Sequence, residues 1–179
     1  IRVAEVKIER AQIAYTDLAS GQTLTVGDLN LKTGRLEDDT PTPLSLSASI
    51  TGKRPEVALK AQMEAAARMN LARQVFAFAK LDARVSGNAA TLRGLDLRLT
   101  GDVAADVRRQ EYTVDTLGLQ AKGTLERDAL VAAFSAPRLR VTPAKAEGQA
   151  VSGNLTVKGP GRSIDAKLTM SAVEGSSSA

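Results

Sequence analysis

Apolar residues recur at every second position over most of this chain. The longest run is Leu95 to Val107, whose odd positions are Leu95, Leu97, Leu99, Gly101, Val103, Ala105 and Val107, against Asp96, Arg98, Thr100, Asp102, Ala104 and Asp106 at the even ones. A period of two gives an extended strand one apolar and one polar face, whereas a helix would scatter the same residues around its axis. At about 3.3 Å per residue the run spans roughly 40 Å, well beyond the usual strand of about five or six residues. The alternation returns in Leu44, Leu46, Ala48 and Ile50, whose partners are Ser45, Ser47, Ser49 and Thr51, and in Leu81–Val85, Leu117–Leu125, Val151–Val157 and Ile164–Met170.

Turn chemistry separates these runs. Asp17-Leu18-Ala19-Ser20-Gly21 offers an acidic turn starter and a glycine able to take a positive φ. Gly87-Asn88, Arg108 to Glu111, Glu126 to Asp128 and Gly159 to Arg162 punctuate further hairpins. The opening reads as one strand broken around Glu9 and Arg10 or as two short ones, the apolar parity changes at Gly27-Asp28 as a β-bulge or a short turn would produce, and it changes again between Val114 and Leu117. Glu37 to Pro43 and Pro143 to Gln149 read as polar loops, and Asp38 and Asp39 as a solvated turn in preference to a cation site. The Ala-rich stretch Met63 to Phe78 is ambiguous, because alanine favours helix. It reads as a strand to about Ala65, a turn or short helical segment near 66–78, and a strand again by Leu81. The resulting fold class is all-β: roughly ten to twelve strands in a long antiparallel meander, one domain over 1–173 and a disordered polar tail over 174–179.

Composition bears on how such a meander could pack. A two-sheet sandwich needs bulky inner faces to fill a core about 10 Å thick, and this chain supplies Leu, Val and much Ala with only 3% aromatics and no Trp. A single sheet curved into an open hydrophobic groove fits that supply, and an uncovered apolar face of that size implies a ligand, a membrane or a partner. The aromatic scarcity argues against an outer-membrane barrel with its aromatic girdles and leaves few platforms for stacking nucleic-acid bases. A net charge of +4, spread along the chain, reads as a solvated surface. No run of apolar residues reaches helix-spanning length. The chain opens inside a strand pattern at Ile1, without Met or signal peptide, so it reads as a piece of a longer protein.

Candidate chemistry is sparse. With no His and no Cys, histidine bases, thiolate nucleophiles and the commonest zinc ligands are all missing, and no spacing of Ser, Lys, Asp or Glu selects a catalytic pair. The expectation is a non-enzyme with no cofactor, no metal and no nucleic-acid partner. Gly159-Pro160-Gly161 lacks the Lys-Ser/Thr ending of a phosphate loop and reads as a hairpin turn. Asn154-Leu155-Thr156 matches a glycosylation pattern short enough to recur by chance, and Lys53-Arg54 and Arg108-Arg109 read as solvated turns.

The run from Val6 to Val26, with Ile13-Ala14-Tyr15-Thr16-Asp17, then Gly21 and then Leu24-Thr25-Val26, resembles the repeated segment of AsmA-like proteins: a strand ending in an aromatic and an Asp, a Gly-containing hairpin and a returning strand. Asp28 to Gly34, Pro43 to Ile50 and Leu81 to Gly87 look like that family's next strands, so the likeness covers about two thirds of the chain, to about Gly123. The resemblance implies a bacterial repeating β-groove protein of the Gram-negative envelope, tethered to the inner membrane by an anchor outside this sequence. It implies a sheet extending into the periplasm, whose apolar trough carries phospholipid acyl chains toward the outer membrane in outer-membrane biogenesis. The lipid-lining residues it implies form a row: Leu44, Leu46, Ile50, Leu95, Leu97, Leu99, Val103, Val107, Leu117 and Leu119. Plain sheet core would use the same residues. The alternative function is a non-enzymatic scaffold or chaperone-like module that pairs with other envelope proteins during outer-membrane protein assembly. An apolar face continuous from edge to edge would favour lipid; a face closed at either end would favour the scaffold.

Overall fold

The computed structural model describes residues 2–176. Among them the chain forms fourteen strands and no helix: β1 (Arg2–Val3), β2 (Lys7–Asp17), β3 (Gln22–Thr33), β4 (Leu36–Glu37), β5 (Thr42–Lys53), β6 (Val57–Asn70), β7 (Val75–Ala89), β8 (Leu92–Asp106), β9 (Glu111–Leu125), β10 (Asp128–Val141), β11 (Lys145–Gly148), β12 (Val151–Gly159), β13 (Arg162–Met170) and β14 (Val173–Ser176). β1 and β4 make a two-stranded ribbon. The other strands form one twelve-stranded sheet in the order β13-β12-β10-β9-β8-β7-β6-β5-β3-β2, with β11 joining β10 to β14. Every pairing is antiparallel and the two ends of the path do not meet, so the sheet is an open, curved meander and not a barrel.

Three local expectations are overturned in whole or in part. No helical segment lies near 66–78: β6 runs to Asn70, a turn covers 71–74 and β7 begins at Val75. The Asn70 side-chain oxygen accepts the Arg73 N–H at 2.9 Å and the Leu71 carbonyl accepts the Gln74 N–H at 3.3 Å, which closes a hairpin where alanine propensity alone suggested a helix. Tertiary pairing outweighs that propensity, since Ala67 faces Phe78 and Met69 faces Phe76 across the two strands. The Pro143–Gln149 loop contains β11, which pairs with both β10 and β14. Of the polar tail expected over 174–179, Glu174–Ser176 belong to β14, and 177–179 lie outside the described residues.

Bulges bend the strands where the parity of the sequence changes. Arg10, Asp28, Lys80 and Thr116 take positive φ of 49°, 47°, 54° and 53° inside strands, each at or beside a register shift. One extra residue in one strand tilts it and raises its twist, which is how a long sheet acquires curvature. The N–H groups displaced by two of these bulges are caught by side chains of the next strand. Asn30 Oδ1 accepts the Arg10 N–H at 3.1 Å, and Asp102 Oδ1 accepts the Lys80 N–H at 2.7 Å while its Oδ2 accepts the Thr116 hydroxyl at 3.3 Å. Asp102 thereby ties the bulges of β7 and β9 to the strand between them. Asp102→Ala is expected to cost about 1 kcal/mol in urea unfolding, at the low end for a lost acceptor because water reaches the site. Asp102→Asn should recover most of it.

Core formation is slight. The buried apolar residues are Ala65, Ala67, Ala136 and Val151, and no large side chain is fully buried among the described residues. A compact monomer of 18.8 kDa would expose about 8,300 Å², whereas this chain exposes 11958 Å². The excess is what a single layer leaves uncovered.

Candidate lipid-binding face

Residues directly opposite one another in an antiparallel pair project from the same face, so the register alone assigns the faces. One row crosses the sheet without interruption by a charge: Ile8, Leu31, Leu46, Met63, Ala83, Leu99, Leu119, Phe134, Gly153 and Leu168 are successive partners from β2 to β13. Ten strands at about 4.8 Å spacing make that row roughly 45 Å long, more than the ~30 Å hydrocarbon core of a bilayer. Parallel rows flank it. Ile13, Val26, Ile50, Leu59, Gly87 and Leu95 are partnered on one side, and Phe78, Val103, Val114 and Leu139 on the other.

The residues expected to line a groove fall on this face, with one exception. Leu46, Leu99 and Leu119 share the continuous row; Ile50 and Leu95 share its neighbour; and Leu97 stands between Val85 and Ala121. Leu44 pairs with Ala65 and Leu117 with Ala136, close to the bulges. Val103 sits between Phe78 and Val114. Val107 lies past the end of β8 in the 107–110 turn, 44% exposed, where its N–H donates to the Gln74 carbonyl at 3.0 Å. Sequence reasoning did not single out Ile8, Leu31, Met63, Phe134 and Leu168 for this row. Their alternation was visible, but only the strand register shows that they continue it.

Alanine, the same side chain on both faces, measures how differently the two are shielded. Ala65, Ala67 and Ala136 on the apolar face are buried, while Ala58, Ala104 and Ala129 on the other are exposed. Most large apolar side chains of the central strands are half-buried, shielded by one another and not by a second layer. Toward the sheet edges they open further, Ile13 to 60% and Ile164 to 56%.

The opposite face carries a ladder of ion pairs. Asp82 on β7 accepts a forked pair of bonds from Arg98 on β8, at 2.7 and 3.1 Å, and a weaker pair from Arg84 at 3.2 and 3.3 Å. Lys122 reaches Asp96 at 2.9 Å, Arg138 reaches Asp115 at 2.6 Å, and Arg162 pairs with Asp128. Exposed pairs of this kind each contribute about 0–1 kcal/mol, so their effect is mainly to pin register. Arg98 first, and Arg84 second, hold the Asp82 carboxyl down to about 2. A carboxylate with a depressed pKa adds stability above its unfolded value near 3.9 and loses it as pH falls through the folded value. Asp82→Asn is therefore expected to flatten the acid limb of a melting-temperature profile between about pH 4 and 2, and to change little at neutral pH.

No group of three or more metal-binding side chains occurs among the described residues, and Asp39 Oδ2 is engaged by the Asn70 amide at 2.7 Å. The arrangement offers a broad, non-directional apolar strip backed by a charged exterior. No family model, curated protein or solved structure matches this chain.

Proposed function

We propose that this chain is a segment of a periplasmic β-groove of the AsmA-like kind, and that its apolar face holds phospholipid acyl chains in passage between the inner and outer membranes during outer-membrane biogenesis. The observation carrying this reading is the row from Ile8 to Leu168, apolar through every strand of the main path and covered by no second layer among the described residues. Acyl chains laid along it would gain about 25 cal/mol per Å² buried with no directional requirement, which favours sliding over fixed capture. Tethering to the inner membrane would come from an anchor outside this sequence, and no catalytic group is required.

Native mass spectrometry of the purified chain, with organic extraction of the same sample, tests the reading. Co-purifying phospholipid is the expected result. A lipid-free monomer with the same fold would instead favour the alternative, a scaffold for other envelope proteins. That alternative draws on β2 and β13, whose outer edges have no strand partner in the sheet order and could accept a strand from an envelope protein.

A further inference from the structure

The two edges of the main sheet path are protected differently. β2 carries the bulge at Arg10, with register shifts on either side of Ala11, and a bulge is one of the devices that keep an edge from pairing with another chain. β13 has no such guard: its nine residues, Arg162–Met170, include no Pro, keep an unbroken register with β12 and are all exposed. No strand among the described residues pairs with its outer side, and the chain that follows forms β14 against β11. The hairpin fixes which backbone groups that outer side offers. Pro160-Gly161 is a two-residue turn between the partners Gly159 and Arg162, so those two residues exchange backbone hydrogen bonds. Alternation from there turns the backbone of Arg162, Ile164, Ala166, Leu168 and Met170 toward β12. The N–H and C=O groups of Ser163, Asp165, Lys167 and Thr169 point away from the sheet.

We propose that this edge is a self-association surface, on which β13 of a second copy of the chain pairs antiparallel about a two-fold axis through Ala166. The sequence around Ala166 is complementary to its own reverse. In that register Asp165 faces Lys167 of the second copy and Ser163 faces Thr169, so outward backbone groups meet outward backbone groups in about eight hydrogen bonds. On the apolar side Ile164 faces Leu168, which are 56% and 49% exposed in the single chain. Only this register matches the charges. A slip of two residues sets Asp165 against Asp165 or Lys167 against Lys167, and a slip of one sets outward groups against inward ones and reverses the faces. An axis normal to the sheet keeps both apolar faces on one side, which lengthens the strip from roughly 45 Å to roughly 90 Å without covering it. Pairing β13 with β2 would instead be open-ended and would set an unbroken strand against a bulged one. The interface runs along the edge and does not depend on lipid at the face.

Sedimentation equilibrium of the purified full chain over about 1–200 μM tests this, since so short an edge belongs at the small end of interface sizes and a micromolar dimer is expected. Asp165→Lys and Lys167→Asp each set like charges against one another twice in the dimer and should weaken it at least about tenfold. Both positions are exposed, and far-ultraviolet dichroism checks that each variant keeps the sheet. Their equimolar mixture is the decisive sample. Each variant then faces the opposite charge on its partner, and association should return to within about threefold of the unaltered chain. Lys122→Asp, on β9 away from the edge, changes net charge equally and should leave the dimer intact. A chain that stays monomeric at about 200 μM, growth beyond a dimer, a dimer that both edge variants leave intact, or a mixture that stays monomeric would each overturn the proposal.

Discussion

Gly87→Ala is expected to lower the unfolding free energy by about 3 kcal/mol or more, enough to unfold much of a sheet whose total stability sits in the usual range of about 5–15 kcal/mol. Gly87 has φ +136°, and a Cβ there would lie 2.1 Å from the Ala58 carbonyl oxygen and 3.0 Å from the Leu59 Cα. Both obstacles are backbone of the neighbouring strand, so no rotamer change relieves them. β6 and β7 would have to separate at the row that joins Leu59, Gly87 and Leu95. Positive φ alone costs a non-glycine residue about 1–3 kcal/mol, and the broken pairing adds to it. Gly94 provides the control, because its φ is +58° but no atom lies within 4 Å of an added Cβ. Gly94→Ala should lose only about 1 kcal/mol in the same urea titration. Equal midpoints for the two variants would show that β6 and β7 do not approach as described.

The contrast between these glycines also marks how far a sequence alone carries the fold. Gly87-Asn88 reads as a turn in the sequence, yet both residues lie inside β7 and the chain turns at 90–91; only the register places Gly87 against a neighbouring carbonyl and Gly94 in open space. Alternation was enough to give the antiparallel meander, because a half-covered sheet sorts polar from apolar at every step. Parity changes at Gly27-Asp28 and between Val114 and Leu117 correspond to the bulges at Asp28 and Thr116. The equivalent change between Phe78 and Leu81, at Lys80, was masked by alanines whose helix propensity competes with their fit on a sheet. β11 escaped notice because its four residues are too few to show a period. For the apolar face, the leucines of β5, β8 and β9 stood out individually. Their assembly into one row with Ile8, Met63 and Phe134 is a property of pairing between strands, which no single strand's pattern contains.

Leu97→Asp is expected to strip lipid from the chain while leaving it folded. Leu97 occupies the middle of β8, half-buried, with the smaller Val85 and Ala121 as its lateral partners and no second sheet layered above it among the described residues. On an uncovered face the introduced carboxylate stays in water, so the folding penalty is limited to the partial burial of one leucine, about 1–2 kcal/mol. Acyl chains change that balance, because covering the face would strip water from an unpaired charge at a cost of several kcal/mol. Lipid recovered by organic extraction should therefore fall at least about tenfold, with the far-ultraviolet dichroism of the sheet unchanged. Ser86→Asp gives the matched control, since Ser86 lies next to Val85 in β7 on the charged face, opposite Lys60 and Asp96. Lipid should persist in that variant. Global unfolding of Leu97→Asp would make Leu97 a core residue and remove it from any groove. Equal lipid in both variants would mean that lipid sits elsewhere on the molecule, and the continuous apolar row would then have to be assigned to a protein partner.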